Sequence, residues 1–161
     1  MFLFIQPSQF HIQNIYFLEK KINMIMEGYF TKFVFSNQYM TMNGLFFKLP
    51  QVSSTPHFLT IDTIHHKEWI QRICMIERQI LQYYQMFCSP FRIEDISHDI
   101  QKKTLVYVLK TQIQKGVVKY YRDNQNQNSY SQPSYYVKIS GIWENQHEIG
   151  ITFKIIEYRR I

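Results

Sequence analysis

The strongest constraint on the fold lies near the end of the chain, where residues 134–158 read SYYVKISGIWENQHEIGITFKIIEY. Apolar and polar side chains alternate there on both sides of a polar centre at residues 144–148. A period of two is typical of half-buried β-strands. The segment therefore predicts a β-hairpin whose turn lies within residues 144–148.

Alignment of the apolar positions on one core face predicts the register of this hairpin. The predicted cross-strand pairs are Trp143 with Ile149, Ile139 with Phe153, and Val137 with Ile155. The same register sets Lys138 across from Lys154 on the other face. Like charges opposed on a sheet are mildly destabilising unless they are neutralised, and a polyanion is one candidate for that role. The alternative is that both ammonium groups extend into solvent.

Gly141 and Gly150 interrupt the alternation on the two strands of the hairpin. Glycine within a strand often marks a bulge or a close backbone approach, and a strongly bent hairpin suits a small barrel better than a flat sheet. The fold class predicted from this pattern is α+β. We expect a bent antiparallel sheet or a small OB-like barrel, with one long amphipathic helix inserted between strands.

The long helix is predicted at about residues 64–86, with Asp62 or Thr63 as its N-cap. Its apolar residues recur at steps of three and four, as expected for a helix packed on a core. They are Trp69, Ile73, Ile76, Ile80, Tyr84 and Phe87. A chain of 161 residues with 45% hydrophobic content is expected to form one domain. Residues 123–134, rich in Asn, Gln and Ser, are expected to be a flexible loop within it.

The sequence also predicts several shorter elements. Residues 13–26 favour a short helix, although a strand over their first half is an alternative. Asn43-Gly44 between apolar runs predicts a type I′ hairpin turn. Residues 104–114 are dense in β-branched side chains and favour a strand, with a helix ending at Gly116 as the alternative. Further strands are expected at residues 28–36, 58–61 and 117–122.

The charge of the chain is unevenly distributed. The formal net charge is +6, with a pI near 9.3. Residues 1–101 carry eight Lys and Arg against eight Asp and Glu, whereas residues 102–161 carry ten against four. The whole excess therefore lies in the last third of the chain. A basic, aromatic segment of this kind is typical of a surface that binds nucleic acid or another polyanion.

These observations predict a nucleic-acid-binding protein with a preference for single-stranded DNA. Lysines would neutralise phosphates, and tyrosines would stack on bases. The predicted binding residues are Lys119, Tyr120, Tyr121, Arg122, Tyr136, Lys138 and Lys154. The alternative for the tyrosines is that they fill a second, buried face of the sheet.

Residues capable of acid, base or metal chemistry occur, but no set has the spacing of a known reaction centre. Adjacent His65 and His66 would point about 100° apart on a helix and lack an evident third ligand. Glu144, His147 and Glu148 lie close together in the predicted turn, where polar residues collect for structural reasons. We therefore predict no enzymatic activity and no cofactor or metal.

Cysteine usage and hydropathy predict the compartment. Cys74 and Cys88 form neither a disulfide framework nor a zinc-ligand spacing. The opening MFLFI is too short for a signal-peptide core, and no apolar run reaches membrane-spanning length. We expect an intracellular, reducing compartment and no membrane partner.

The final hairpin, with FSNQYMTMNGLFF upstream and an Ile-rich helix between them, resembles an uncharacterised family of nucleocytoplasmic large DNA viruses. In that family a segment like KISGIWE, an acidic spacer and a segment like GLTYKF close the chain. Residues 138–144 and 150–154 occupy those places here. The resemblance implies a viral replication setting in the host cytoplasm or nucleus, a virus factory, or the virion. It implies no catalytic residues.

A second functional class is compatible with the same residues. The chain would then be a structural or assembly protein, such as a minor virion component or a subunit of a larger complex. Its aromatic surface would contact other subunits or a second copy of the chain. A large apolar patch that self-associates independently of DNA would favour this alternative.

Overall fold

The computed structural model describes residues 2–88, 102–121 and 132–159. Two short 3-10 turns, Pro7–Gln9 and Ile12–Asn14, precede the regular elements. These elements are β1 (Ile15–Ile22), β2 (Tyr29–Ser36), β3 (Thr41–Asn43), β4 (Leu45–Lys48), β5 (Val52–Ser54), β6 (Phe58–Ile61), α1 (Lys67–Phe87), β7 (Thr104–Val106), α2 (Val108–Gln114), β8 (Val117–Lys119), β9 (Ser134–Glu144) and β10 (Glu148–Tyr158). The α+β prediction is confirmed, with the long helix between strands.

The strands form two sheets. The larger has seven strands in the order β1-β2-β9-β10-β7, with β3 also paired to β2 and β4 also paired to β9. The smaller sheet has the order β5-β6-β8. The larger sheet is not wholly antiparallel, because β7 runs parallel to β10. Among the described residues neither sheet closes into a barrel, so the bent-sheet alternative describes the fold.

Helix α1 packs on one face of the larger sheet, which is called the inner face from here on. The predicted helix is confirmed, although it begins at Lys67 rather than at residue 64. Asp62 caps the turn before it, since its Oδ1 accepts hydrogen bonds from the amides of Ile64 and His65. The buried residues of α1 are Ile70, Ile73, Ile76, Glu77, Ile80, Leu81 and Tyr84.

The final hairpin forms as predicted over most of its length. The register confirms the pairs Ile139 with Phe153, Val137 with Ile155 and Lys138 with Lys154. The predicted pair Trp143 with Ile149 is wrong, because Trp143 lies opposite Gly150. A register shift at Ser140 displaces the partners beyond it by one residue.

This shift exchanges the faces of the residues that follow it. Ile142 and Glu144, rather than Trp143, join Ile139 on the inner face, and both are buried. Trp143 lies on the opposite face, where a Cβ at Gly150 would clash with its indole ring. The prediction of a bulge or a close approach at the two glycines is therefore confirmed.

The Asn43-Gly44 turn does not form the predicted hairpin. Strand β3 pairs with β2, whereas β4 pairs with β9, so the chain passes between two different partners at Gly44. Gly44 has a φ of 90°, and a Cβ there would clash with the backbone carbonyl of Ile139. Glycine is required at this position by close backbone approach rather than by a two-residue turn.

Two other local predictions need correction. The helix predicted over residues 13–26 is wrong, because Ile15–Ile22 forms an edge strand paired with β2. The stated strand alternative describes it better. Residues 104–114 contain both the predicted strand and the alternative helix, because β7 is followed after one residue by α2. Of the predicted loop at residues 123–134, residues 123–131 lie outside the described residues, and Ser134 already begins β9.

Candidate nucleic-acid interface

The face of the larger sheet opposite α1, called the outer face from here on, combines lysines with aromatic rings. Cross-strand registers arrange its residues in rows from β2 or β4 through β9 to β10. These rows are Phe30-Trp143-Gly150, Lys32-Gly141-Thr152, Phe46-Lys138-Lys154 and Lys48-Tyr136-Ile156. The bulge at Ser140 allows β2 and β4 to pair in succession along the same edge of β9.

Three ammonium groups lie close together on this face. Lys138 and Lys154 are directly opposed, and Lys32 is near enough for its charge to act on Lys138. Partial burial lowers the pKa of Lys138, and the positive charges of Lys154 and Lys32 lower it further. The two charged groups that shift the pKa of Lys138 are thus both cationic, so a polyanion bound here would be attracted to all three lysines.

Aromatic rings lie beside these lysines. The Lys138 Nζ lies 5.1 Å from the ring centroid of Phe46, within the range of a cation–π contact. Phe30, Phe46 and Trp143 are all half-buried and so keep part of each ring accessible. The Trp143 indole is oriented by its Nε1–H, which donates to the Ile151 carbonyl oxygen at 3.2 Å. The face therefore offers both cations and ring surfaces.

A groove extends the basic surface beyond the sheet. It has a volume of about 480 Å³ and lies between the end of β8 and the C-terminal half of β10. Lys119, Tyr121 and Lys154 all line it, and Tyr121 is 90% exposed. The structure thus brings Lys119 of β8 and Tyr121, which follows β8, to the same groove as Lys154. The carboxylate of Glu157, also in this groove, pairs with Arg159 at 2.6 Å.

Two of the predicted stacking tyrosines are buried. Tyr120 packs edge-to-face on Tyr135, with ring centroids 5.5 Å apart. Tyr136 lies on the outer face but is covered by Phe2, whose ring centroid is 4.5 Å away, and by Phe4. The stated alternative, that the tyrosines fill a buried surface, describes both. Neither ring is available to stack on a base, so neither tyrosine belongs to the candidate interface. Arg122 lies outside the described residues.

Sequence reasoning missed Phe30, Lys32, Phe46 and Trp143 as members of this surface. A signal was present for three of them, because aromatic and lysine residues alternate in FTK of β2 and FFK of β4. No sequence pattern predicts that Trp143 belongs to this surface. It lies on the outer face only because of the bulge at Ser140. We define the basic aromatic face by its members Phe30, Lys32, Phe46, Lys138, Trp143 and Lys154.

The inner face carries a different charged cluster, centred on the buried carboxylate of Glu144. Its Oε1 accepts a hydrogen bond from Lys20 Nζ at 2.6 Å and its Oε2 one from Lys103 Nζ at 3.0 Å. The Tyr84 hydroxyl, 3.1 Å from the hydroxyl of Thr31, also donates to Oε1, at 3.2 Å. The cluster joins β1, β2, β9, α1 and the segment before β7.

The pKa directions agree with a structural role for this cluster. Burial acts to lower the pKa of Lys20, but the hydrogen bond and charge of Glu144 outweigh it, and the pKa is raised. Burial also raises the pKa of the Tyr84 hydroxyl, which keeps it protonated as a donor. The charged form of Lys20 and the protonated form of Tyr84 are thus both favoured within the cluster.

The other residues considered for catalysis do not assemble. Asp62 and His65 form an exposed pair, with Oδ2 and Nδ1 2.7 Å apart. Glu144 is buried on the inner face, whereas His147 and Glu148 are exposed in the turn. Within residues 2–88, 102–121 and 132–159, no group of three or more His, Cys, Asp or Glu side chains could hold a metal ion.

Both cysteines are free thiols, and burial raises the pKa of each. Among the described residues, no helix combines the length and the apolar character needed to cross a membrane. Comparison of the chain with protein-family models, with curated proteins and with solved structures finds no match.

Proposed function

We propose that this protein binds single-stranded nucleic acid, with single-stranded DNA preferred, through the basic aromatic face, and that it acts without catalysis. The observation that carries the proposal is the cationic environment of Lys138, whose neighbours Lys154 and Lys32 both oppose its charge. Such an arrangement costs stability unless an anion is bound. A phosphate backbone supplies that anion at regular spacing.

Ring surfaces beside the lysines favour a single strand over a duplex. Bases of a single strand are free to stack on aromatic side chains, and this stacking is tolerant of sequence. Phe30 and Phe46 lie on the same face as the lysines and keep part of their surface accessible. The binding groove extends through Lys119 and Tyr121, which share a cavity with Lys154. The proposed strand would therefore run across β9 and β10 toward β8.

The proposed setting is an intracellular compartment in which single-stranded intermediates occur. The resemblance to a giant-virus family supports a replication setting or association with the virion. The alternative of an assembly subunit predicts contacts made without nucleic acid. The two functions are separated by their dependence on salt, because release of counterions from phosphates makes nucleic-acid binding steeply salt-dependent.

Fluorescence anisotropy with a labelled single-stranded oligonucleotide tests the proposal. We expect binding at low salt that weakens steeply toward physiological salt. The variant with Lys138→Glu and Lys154→Glu should fold normally and lose binding. A matched control, Lys67→Glu with Lys115→Glu, makes the same charge change at exposed lysines off the outer face. Equal losses in both variants, or no binding by the wild type at low salt, would overturn the proposal.

A further inference from the structure

Four aromatic rings lie together at one end of the outer face. The Phe2 ring packs on the rings of Phe46 and Tyr158, with centroids 5.4 Å apart in each case, and on Tyr136 at 4.5 Å. Tyr136 also packs edge-on against Tyr158, at 6.4 Å. Rings at these distances and angles stabilise one another, so the four form one cluster. We call this cluster the aromatic platform.

The platform is supported from within the protein and open toward solvent. Tyr136 is buried beneath Phe2, whereas Tyr158 is 38% exposed and Phe2 and Phe46 are half-buried. The segment that carries Phe2 is anchored three residues later by the buried side chain of Ile5, whose amide donates to the Phe46 carbonyl oxygen at 3.0 Å. The platform is therefore a fixed surface that keeps part of three side chains accessible.

The charged residues beside the platform are lysines without acidic partners. The rows of the outer face that contain its strand residues are Phe46-Lys138-Lys154, Lys48-Tyr136-Ile156 and Ser134-Tyr158. These rows hold three lysines and neither Asp nor Glu, and within the described residues none of the three lysines forms an ion pair. Glu157, the nearest carboxylate along β10, alternates to the other face of the strand and pairs with Arg159. The surroundings of the platform therefore favour an anionic ligand.

The platform is continuous with the groove that contains Lys154. Lys154, Ile156 and Tyr158 alternate onto the outer face of β10, and both Lys154 and Ile156 line the groove. Four residues of extended strand separate Lys154 from Tyr158, which is about 13 Å at the usual rise per residue. A single strand whose phosphates contact Lys154 can therefore extend over the platform.

We propose that the aromatic platform binds an unpaired base of a single-stranded nucleic acid whose phosphates contact Lys138 and Lys154. Phe2 and Tyr158 are the stacking residues, and Tyr136 is a positioning residue that supports Phe2 from below. This inference rests on the proposed function and adds to it a stacking position built from opposite ends of the described chain. A base supplies a flat ring surface and its phosphate supplies negative charge, whereas the bases of a duplex are already stacked on one another.

Anisotropy titration of a labelled single-stranded oligonucleotide with the Phe2→Leu, Tyr158→Leu double variant tests this inference. Leucine keeps apolar bulk but removes the rings, so affinity should fall about tenfold, the order expected for loss of one stacked base. The slope of log affinity against log salt should keep the wild-type value, because no cation is removed. Tyr158→Phe, which keeps the ring, should bind more tightly than Tyr158→Leu. The control Tyr39→Leu with Phe87→Leu removes two exposed rings outside the platform and should not change binding.

Photo-cross-linking separates direct stacking from support of the fold. A single-stranded oligonucleotide that carries 5-iodouracil should cross-link on irradiation to Phe2 or Tyr158 of the wild-type protein, and mass spectrometry of the digested complex locates the bond. Circular dichroism checks that each variant is folded. Should Phe2→Leu disturb folding, Tyr158→Leu alone should still weaken binding, by about threefold or more, since it removes the more exposed ring.

The outcomes distinguish this inference from the proposed function. Wild-type binding that depends on Lys138 and Lys154 but is unchanged in the Phe2→Leu, Tyr158→Leu variant and in Tyr158→Leu would overturn the inference and leave the proposed function standing. A loss of affinity without a cross-link to either residue would also overturn it, because the rings would then act only through the fold. No binding by the wild type at low salt would overturn both.

Discussion

The two faces of strand β9 differ in whether their charged groups have partners of opposite charge. On the inner face, Glu144 has a side chain only 1% exposed and is held by two lysines. On the outer face, Lys138 lies among two other lysines that disfavour its charge. The two charged groups are six residues apart on one strand. The fold thus compensates a buried carboxylate fully and leaves cationic repulsion on the neighbouring surface.

This difference distinguishes lysines that stabilise the fold from lysines to which we assign a binding role. A buried carboxylate without partners would be very costly, so the fold brings Lys20 and Lys103 to it from distant parts of the chain. Partly solvated lysines cost much less, so their repulsion persists without unfolding the protein. We propose that the outer face keeps this repulsion because it binds an anion.

The largest effect is expected for Glu144→Gln. This change keeps the size of the side chain but removes the charge that holds both lysines, leaving two ammonium groups near each other. We expect the free energy of unfolding to fall by roughly 2–4 kcal/mol, near the lower part of the range for buried pairs because both lysines reach solvent. Urea denaturation measures this. The control Glu68→Gln, in an exposed pair with Arg72, should cost less than about 0.5 kcal/mol.

The next effect concerns binding by the outer face. The Lys138→Gln with Lys154→Gln variant should bind a single-stranded oligonucleotide about tenfold more weakly at low salt, or weaker still, because two phosphate contacts are lost. The Lys67→Gln with Lys115→Gln control should bind nearly as the wild type does. Anisotropy titrations with the same oligonucleotide compare them. Wild-type affinity in the first variant would contradict the role given to this face.

A smaller, opposite effect is expected for the stability of the unbound protein. Lys154→Gln removes a like-charge contact, so the free energy of unfolding should rise by a few tenths of a kcal/mol, or about the size of one cross-strand pair. Lys20→Gln removes a partner of Glu144 and should lower it. Thermal unfolding at low ionic strength should resolve the two directions. A loss of stability in both variants would mean that the outer lysines are also compensated within the fold.

The smallest effect is in the pH dependence at alkaline pH. The pKa of Lys20 is raised above 10.5, so its contribution to stability is fully present below that pH and is lost as pH rises through the folded-state value. The pKa of Lys138 is lowered below 10.5, so its penalty is relieved as pH rises toward 10.5. NMR titration of the lysine side chains should place Lys138 below Lys20. A pKa of Lys138 above that of Lys20 would contradict the difference described between the two faces.

Local patterns in the sequence were sufficient for much of this fold. The period of two in β9 and β10 depends on neighbouring residues and predicted the register from Val137 to Ile139. The apolar stripe of α1 predicted the helix to within a few residues at each end. These features are local, so they are read from a single segment.

The features that were not predicted depend on contacts between distant segments. Lys20 and Glu144 are separated by 124 positions, and nothing in either segment indicates the pairing. The bulge at Ser140 lets β2 and β4 share one edge of β9, and it decides which face Trp143 joins. Tyr136 is buried by Phe2 and Phe4 from the other end of the chain. Four of the six members of the basic aromatic face were therefore identified only from the strand order.

The central claim is that Lys138 and Lys154 neutralise phosphates, and the salt dependence of binding measures this most directly. The slope of log affinity against log salt for a single strand changes by about 0.7 for each phosphate neutralised. The Lys138→Gln with Lys154→Gln variant should therefore show a slope smaller than that of the wild type by about 1.4. The Lys67→Gln with Lys115→Gln control should keep the wild-type slope. Equal slopes in all three proteins would contradict the account.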